Sequence, residues 1–313
     1  MKQILKKSIQ IFLTAGLVLL SITACATLSP ARPEITATTT PEMVFTPPQN
    51  APDEMPTTAP LPSQTPTEVG CLEIEGRIES QVLNGADLAR PLPYRVYLPP
   101  CYNPDQPGGY PVLFLLHGQN MTEAAWQELG IQETADRLIV NQETVPFLIV
   151  MPREEYYLQE FSESVFDNAL IEALLPAIAG SYSTSSERNC RAIGGISRGA
   201  SWALVLGWNH WKEFGAIGAH SVPNAPFSPS RLRALKESIS PGDLPRIRID
   251  IGEADRYFKG AQQLHTLFDQ LNIPHQWLVQ PGAHNMEYWQ IHLESCLRWY
   301  AVEWNNRCVE GLP

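Results

Sequence analysis

From Tyr94 onward the chain alternates short, continuous apolar runs with longer segments of mixed polarity. Val112–Leu116 is apolar at every position, which marks a strand covered on both faces rather than one with a face turned to water. Comparable runs recur at 147–151, 191–196 and 214–219, while 246–251, with its β-branched residues, and 275–279 read as two further short strands that lead into glycine-containing loops. Tyr257, Ala261, Leu264, Phe268 and Leu271 recur instead at helical spacing, as do Trp289, Trp299 and Trp304 in a final segment, so these stretches are read as helices whose apolar stripe lies on a sheet. An apolar helix is expected to begin near Arg198. Upstream, Asn84-Gly85-Ala86-Asp87 is a turn between two candidate strands, which adds an antiparallel hairpin to the parallel units. The pattern predicts an α/β fold over 71–313: a mostly parallel central sheet with helices on both faces and an N-terminal antiparallel hairpin.

The first seventy residues follow different rules. Lys2, Lys6 and Lys7 precede an apolar stretch, residues 9–22, too short for a comfortable membrane span and suited to the apolar region of a secretory signal, here read as 1–24. Ile22-Thr23-Ala24-Cys25 resembles a bacterial lipoprotein cleavage box, so Cys25 is the expected lipidation site; an ordinary secretory signal is the alternative. Residues 26–70 contain ten Pro and ten Thr with almost no apolar clusters, and cannot bury enough surface to offset the entropy of folding. A tether of that length reaches roughly 140 Å when fully extended.

Charge and cysteine usage narrow the choice of partner. The formal charge of −11, which loss of the three leader lysines takes to −14, disfavours nucleic acid and anionic membrane surfaces; membrane contact is expected through the lipid anchor alone. No metal-ligand spacing and no phosphate-cradling glycine loop is present, so neither a metal nor another cofactor is expected. Cys71 and Cys101 flank the hairpin symmetrically about its turn and are expected to pair across the strand ends, while Cys190, Cys296 and Cys308 leave one odd thiol. The oligomeric state is open.

The chemistry enters at Gly195-Ile196-Ser197-Arg198-Gly199, a G-x-S-x-G pentapeptide where a strand turns into a helix. A serine on such an elbow is thrust outward in a strained conformation, and flanking glycines let strand and helix pass close to it. The hydroxyl needs a base, and the base needs an acid to orient it. In the order Ser, acid, His, the loop after 246–251 supplies Asp255 and the turn after 275–279 supplies His284. Asp250 sits within its strand, Glu253 reads as a solvated loop charge, and His220 precedes the acid in sequence. The run Val112–Leu116 ends in His117-Gly118-Gln119-Asn120, where the N–H of Gln119 is expected to join that of Arg198 in an oxyanion hole, with His117 shaping the loop. The loops at 153–157 and 222–228 are the expected pocket walls. Tyr156 and Tyr157 are candidates to stack on a sugar or aryl ring, with packing an equal alternative, and Trp289 is a third candidate substrate contact.

Six ordered segments resemble the esterase D family, which includes feruloyl and acetylxylan esterases, S-formylglutathione hydrolases and mycolyltransferases. They are Tyr94-Arg95-Val96-Tyr97-Leu98-Pro99-Pro100, Tyr110 through Gly118, Gly194 through Gly199, Phe214 through Ser221, Gly252-Glu253-Ala254-Asp255 and Gly282 through Trp289. The resemblance implies an α/β-hydrolase with Ser197, Asp255 and His284 as triad and Gln119 and Arg198 as oxyanion donors. That family usually carries Met or another apolar residue where this chain has Arg198. The expected function is therefore an extracytoplasmic, lipid-anchored serine esterase acting through an acyl-enzyme on carbohydrate-linked acetyl or feruloyl esters. The alternatives are acyl transfer of the mycolyltransferase type and a binding module that retains the fold without catalysis.

Overall fold

A computed structural model of the protein describes residues 71–85, 88–155 and 159–308. The expected signal, tether and Cys25, as well as Tyr156 and Tyr157, lie outside the described residues.

Eight strands form one sheet: β1 (Arg77–Leu83), β2 (Leu92–Leu98), β3 (Val112–Leu116), β4 (Leu148–Pro152), β5 (Arg191–Ile196), β6 (Ala216–His220), β7 (Arg246–Gly252) and β8 (Gln276–Gln280), in the order β1-β2-β4-β3-β5-β6-β7-β8. β1 pairs antiparallel with β2 and β2 antiparallel with β4; the other five pairings are parallel. The hairpin ladder closes at Leu83↔Leu92, leaving a longer connection than the four-residue turn expected from sequence.

The apolar runs have no polar face because both faces are covered. On one side lie α2 (Leu175–Ser181), α3 (Arg198–Asn209), α4 (Pro229–Glu237) and α5 (Phe258–Gln270), packed on Val112, Phe114 and Leu116 of β3 and the corresponding residues of its neighbours. On the other lie α1 (Ile131–Val140) and α6 (Met286–Arg307), packed on Leu113 and Leu115. Trp289 and Trp304 are buried in that second layer as their spacing predicts, and Trp299 is partly buried beside them. Among the described residues no helix is long and apolar enough to cross a membrane.

Two disulfides close the domain. Cys71–Cys101 joins the hairpin ends as expected, and Cys190–Cys308 ties the start of β5 to the end of α6, which identifies buried Cys296 as the odd thiol.

Parallel register brings the strand ends together. Leu116 pairs with Gly195, Ile196 with His220, His220 with Asp250, and Gly252 with Gln280, so the segments after β3, β5, β7 and β8 leave one edge of the sheet side by side. Open α/β sheets bind ligands along that carboxyl edge.

Candidate active site

Ser197 sits between β5 and α3 with φ 55° and ψ −119°, a left-handed backbone that a non-glycine residue adopts only under constraint. The constraint is close packing. A Cβ on Gly195 would overlap the Gly199 carbonyl, and a Cβ on Gly199 would overlap the Leu116 carbonyl of the adjacent strand. The Ser197 N–H donates to the His220 carbonyl at 2.9 Å, which pins the turn to β6.

The three residues expected as a triad converge from three strand ends. Ser197 Oγ donates to His284 Nε2 at 2.9 Å, and His284 Nδ1 donates to Asp255 Oδ2 at 2.8 Å. Burial alone would raise the Asp255 pKa. Hydrogen bonds from His284 and the Tyr257 N–H, the nearby imidazole charge and the Ser221 hydroxyl outweigh it, and hold the carboxyl below its ordinary 3.8. The acid therefore stays ionised beside the imidazole. Edge-on contacts from Tyr257 at 4.8 Å and Trp289 at 5.1 Å hold the His284 ring, and the Trp289 indole N–H donates to Ser221 Oγ at 3.0 Å. Trp289 thus lines the site and steadies its acid through Ser221. Nothing in the sequence marked Ser221 for this task, because its role depends on a backbone turn with φ 54°.

A cavity of about 450 Å³ opens over Ser197 and His284, lined also by Gly118, Gln119, Arg256, Tyr257 and Trp289. Gln119 follows β3 and Arg198 is the first residue of α3, whose N–H points out of the helix N-terminus. Both expected oxyanion donors thus border the nucleophile. His117 is buried, with its Nδ1–H donated to the Gly118 carbonyl and Nε2 accepting from the Glu154 N–H, each at 2.8 Å. It shapes the loop, as expected. The wall expected at 222–228 is placed differently: Pro226, Phe227 and Ser228 border a separate cavity of about 710 Å³ with Phe161, Val205 and His210. That cavity is larger but holds no member of the triad. β6 neighbours β5, but the loop after it packs Pro223 against Gly260 of α5 and sets residues 226–228 beside Val205 and Asn209 of α3, away from the cavity over Ser197.

His220, the base rejected on sequence order, lies in a closed cluster. Its Nδ1 meets Asp250 Oδ2 at 2.6 Å, its Nε2 meets the Tyr300 hydroxyl at 2.9 Å, and Arg248 Nε donates to the same Asp250 oxygen at 3.0 Å. Burial opposes charge on His220, but the Asp250 carboxylate outweighs it and raises the pKa well above 6.5.

Three groups of described residues present metal-capable atoms. Cys71 and Cys101 are consumed in a disulfide. His220, Asp250 and Cys296 share their carboxylate with the Arg248 guanidinium, whose charge opposes a cation there. His265 and His275 satisfy each other at 2.8 Å beside Asp269. None includes a triad residue.

Known proteins resemble parts of this chain. It is 29% identical over 133 residues to an endo-1,4-beta-xylanase/feruloyl esterase of Xylanibacter ruminicola, covering 39% of this chain and 18% of that one. A Mycobacterium tuberculosis protein named Esterase Rv1288 is 31% identical over 124 residues, 36% of this chain and 25% of its own. The matched segments thus span about a quarter or less of those relatives. A ferulic acid esterase structure superposes with a TM-score of 0.65 at 24% identity over 74% of this chain and 99% of that one. A ferulic acid esterase of Anaeromyces mucronatus in complex with ferulic acid does so with a TM-score of 0.61 at 20% identity, over 72% of this chain and 90% of that one. These two likenesses concern the fold. The family model described as "Putative esterase" matches residues 85–300, and the chain belongs to that family.

Proposed function

We propose that the chain is an extracytoplasmic serine carboxylic-ester hydrolase that works through an acyl-enzyme on carbohydrate-linked acetyl or feruloyl esters. The observation that carries this reading is the continuous relay Ser197 Oγ–His284 Nε2–His284 Nδ1–Asp255, at 2.9 and 2.8 Å, anchored on a strained elbow.

The steps follow from that geometry. His284 takes the Ser197 proton as Oγ attacks the ester carbonyl, and ionised Asp255 stabilises the imidazolium that forms. The N–H groups of Gln119 and Arg198 receive the oxyanion of the tetrahedral intermediate. His284 returns its proton to the departing alkoxide, leaving an ester between the acyl group and Ser197. Water then enters, loses a proton to His284, and the sequence repeats with Ser197 as leaving group.

Two relatives and two structural neighbours named for feruloyl or other ester cleavage support the substrate class, as do the aromatic edges of Tyr257 and Trp289 in the cavity. A lipid anchor at Cys25 is supported by the cleavage-box sequence, and the two disulfides suit an oxidising compartment. Turnover of acetylated and feruloylated oligosaccharides against simple alkyl esters tests the substrate. A preference for the alkyl esters would reject the carbohydrate assignment. Cys25→Ser should release the protein from membranes, whereas wild type recovered wholly soluble with Ala26 or a later residue at its terminus would reject the anchor.

A further inference from the structure

Glu154 lies two residues beyond β4, is 6% exposed, and has no part in the hydrolytic steps above. Yet its two polar ends face the two halves of the oxyanion hole. The backbone N–H donates to His117 Nε2, which leaves the His117 proton on Nδ1 and directs it to the Gly118 carbonyl. That carbonyl and the Gln119 N–H belong to one planar peptide, so a bond that fixes the first sets the direction of the second. Burial keeps the His117 pKa below 6.5 despite the carboxylates of Glu154 and Glu123 nearby, which preserves the lone pair on Nε2.

The carboxylate end reaches the other donor. Glu154 Oε2 accepts from Arg198 Nε at 2.8 Å, in an ion pair whose side chains are 5% and 14% exposed. Arg198 is fixed further by a bond to the Gln159 carbonyl at 3.1 Å and by the Phe161 ring 4.9 Å beneath its guanidinium. Its own backbone N–H is the second oxyanion donor. Burying two charges costs desolvation that an apolar pair of similar size avoids, so the pair is a poor device for stability alone.

We propose that Glu154 is a positioning residue that couples the two oxyanion donors, holding the Gln119 N–H through His117 and the Arg198 N–H through its guanidinium. The proposal rests on the oxyanion assignment made above. Arg198 then serves the geometry of the site rather than contact with substrate, which accounts for a charged residue where the resembling family carries an apolar one.

The isosteric Glu154→Gln keeps the backbone N–H and loses the ion pair. With p-nitrophenyl acetate, kcat should fall about 10-fold while KM stays within about twofold, since a slightly misdirected donor is felt only where charge develops. Inhibition by benzeneboronic acid, whose tetrahedral adduct on Ser197 presents an oxyanion mimic, should weaken by the same factor as kcat. Arg198→Met should give the same losses, and the double variant no further loss, because both singles remove one coupling. Should Glu154→Gln fail to fold, Arg198→Lys, which keeps the charge without the fork, should show the same parallel fall in kcat and boronate affinity, smaller in size. Unchanged kcat, a loss confined to KM, unchanged boronate affinity, or losses that multiply in the double variant would each overturn the proposal. An inert Glu154 in an enzyme that Ser197→Ala silences removes only the coupling; wild-type turnover by Ser197→Ala removes the hydrolytic reading itself.

Discussion

The cluster Asp250–His220–Tyr300 repeats the connectivity of Asp255–His284–Ser197. In each, Nδ1 of the imidazole meets an aspartate and Nε2 meets a hydroxyl, at 2.6 and 2.9 Å in the first and 2.8 and 2.9 Å in the second. The difference lies in surroundings. His220 is sealed between β6, β7 and α6, with Arg248 on the same carboxylate, Cys296 at 3.4 Å and Trp126 edge-on, and it is held protonated. Its hydroxyl partner belongs to Tyr300, whose pKa burial pushes up to about 12. An imidazolium cannot act as base, and a closed cluster admits no ester. His284 instead borders a cavity, and its aspartate is shared with N–H and hydroxyl donors rather than with a guanidinium. Connectivity alone is therefore a weak sign of catalysis; access and the charges that surround the imidazole decide it.

The comparison breaks most sharply at the nucleophile. Ser197→Ala should reduce ester turnover by about 10⁴-fold or more with the fold intact, and His284→Ala should do nearly the same, with the double variant no worse than either because the residues act as a unit. Steady-state kinetics on the three variants check this.

His220→Gln should do the reverse. Losing one partner of a buried ion pair costs about 3–5 kcal/mol of stability, while turnover per folded molecule persists. Urea unfolding together with active-site titration separates the two effects.

The two pairs also carry opposite pH signatures. The pKa of His220 is raised on folding, so its contribution is fully present below about 6.5 and is lost as pH rises through the folded value. The pKa of Asp255 is lowered, so its contribution is present above about 3.8 and is lost as pH falls through the folded value. Unfolding free energy measured against pH should decline on both sides, with the alkaline decline absent from His220→Gln. The smallest effect is expected from Trp289→Phe, which keeps the ring edge on His284 and removes the N–H bond to Ser221. Losing a neutral hydrogen bond of about 1 kcal/mol should lower kcat roughly fivefold per folded molecule and the melting temperature by about 2–4 °C.

Local pattern made much of this legible in advance. The continuous apolar runs located β3 to β6 to within two residues, because burial on both faces leaves no other arrangement for them, and the two short strands before glycine-containing loops located β7 and β8 as closely. Glycines at 195 and 199 revealed the elbow, chain order separated His284 from His220, and a place in the loop rather than within the strand separated Asp255 from Asp250. What stayed hidden depended on contacts between segments distant in sequence. Ser221 and Glu154 look like ordinary loop polars until a positive φ at one, and a bond to His117 37 residues away at the other, turn them inward. The outward course of 222–228 is likewise a matter of packing along α3, which no local period encodes. Cys190–Cys308, 118 residues apart, required the register of β5 against α6.

A fluorophosphonate probe tests the central claim most directly, since it labels only a serine whose hydroxyl is activated by a neighbouring base. Intact-mass and peptide analysis of wild type should show a single adduct on Ser197, lost in both Ser197→Ala and His284→Ala and retained in His220→Gln. Labelling that survives Ser197→Ala, or that disappears in His220→Gln while that variant remains folded, would contradict the assignment of the two histidines.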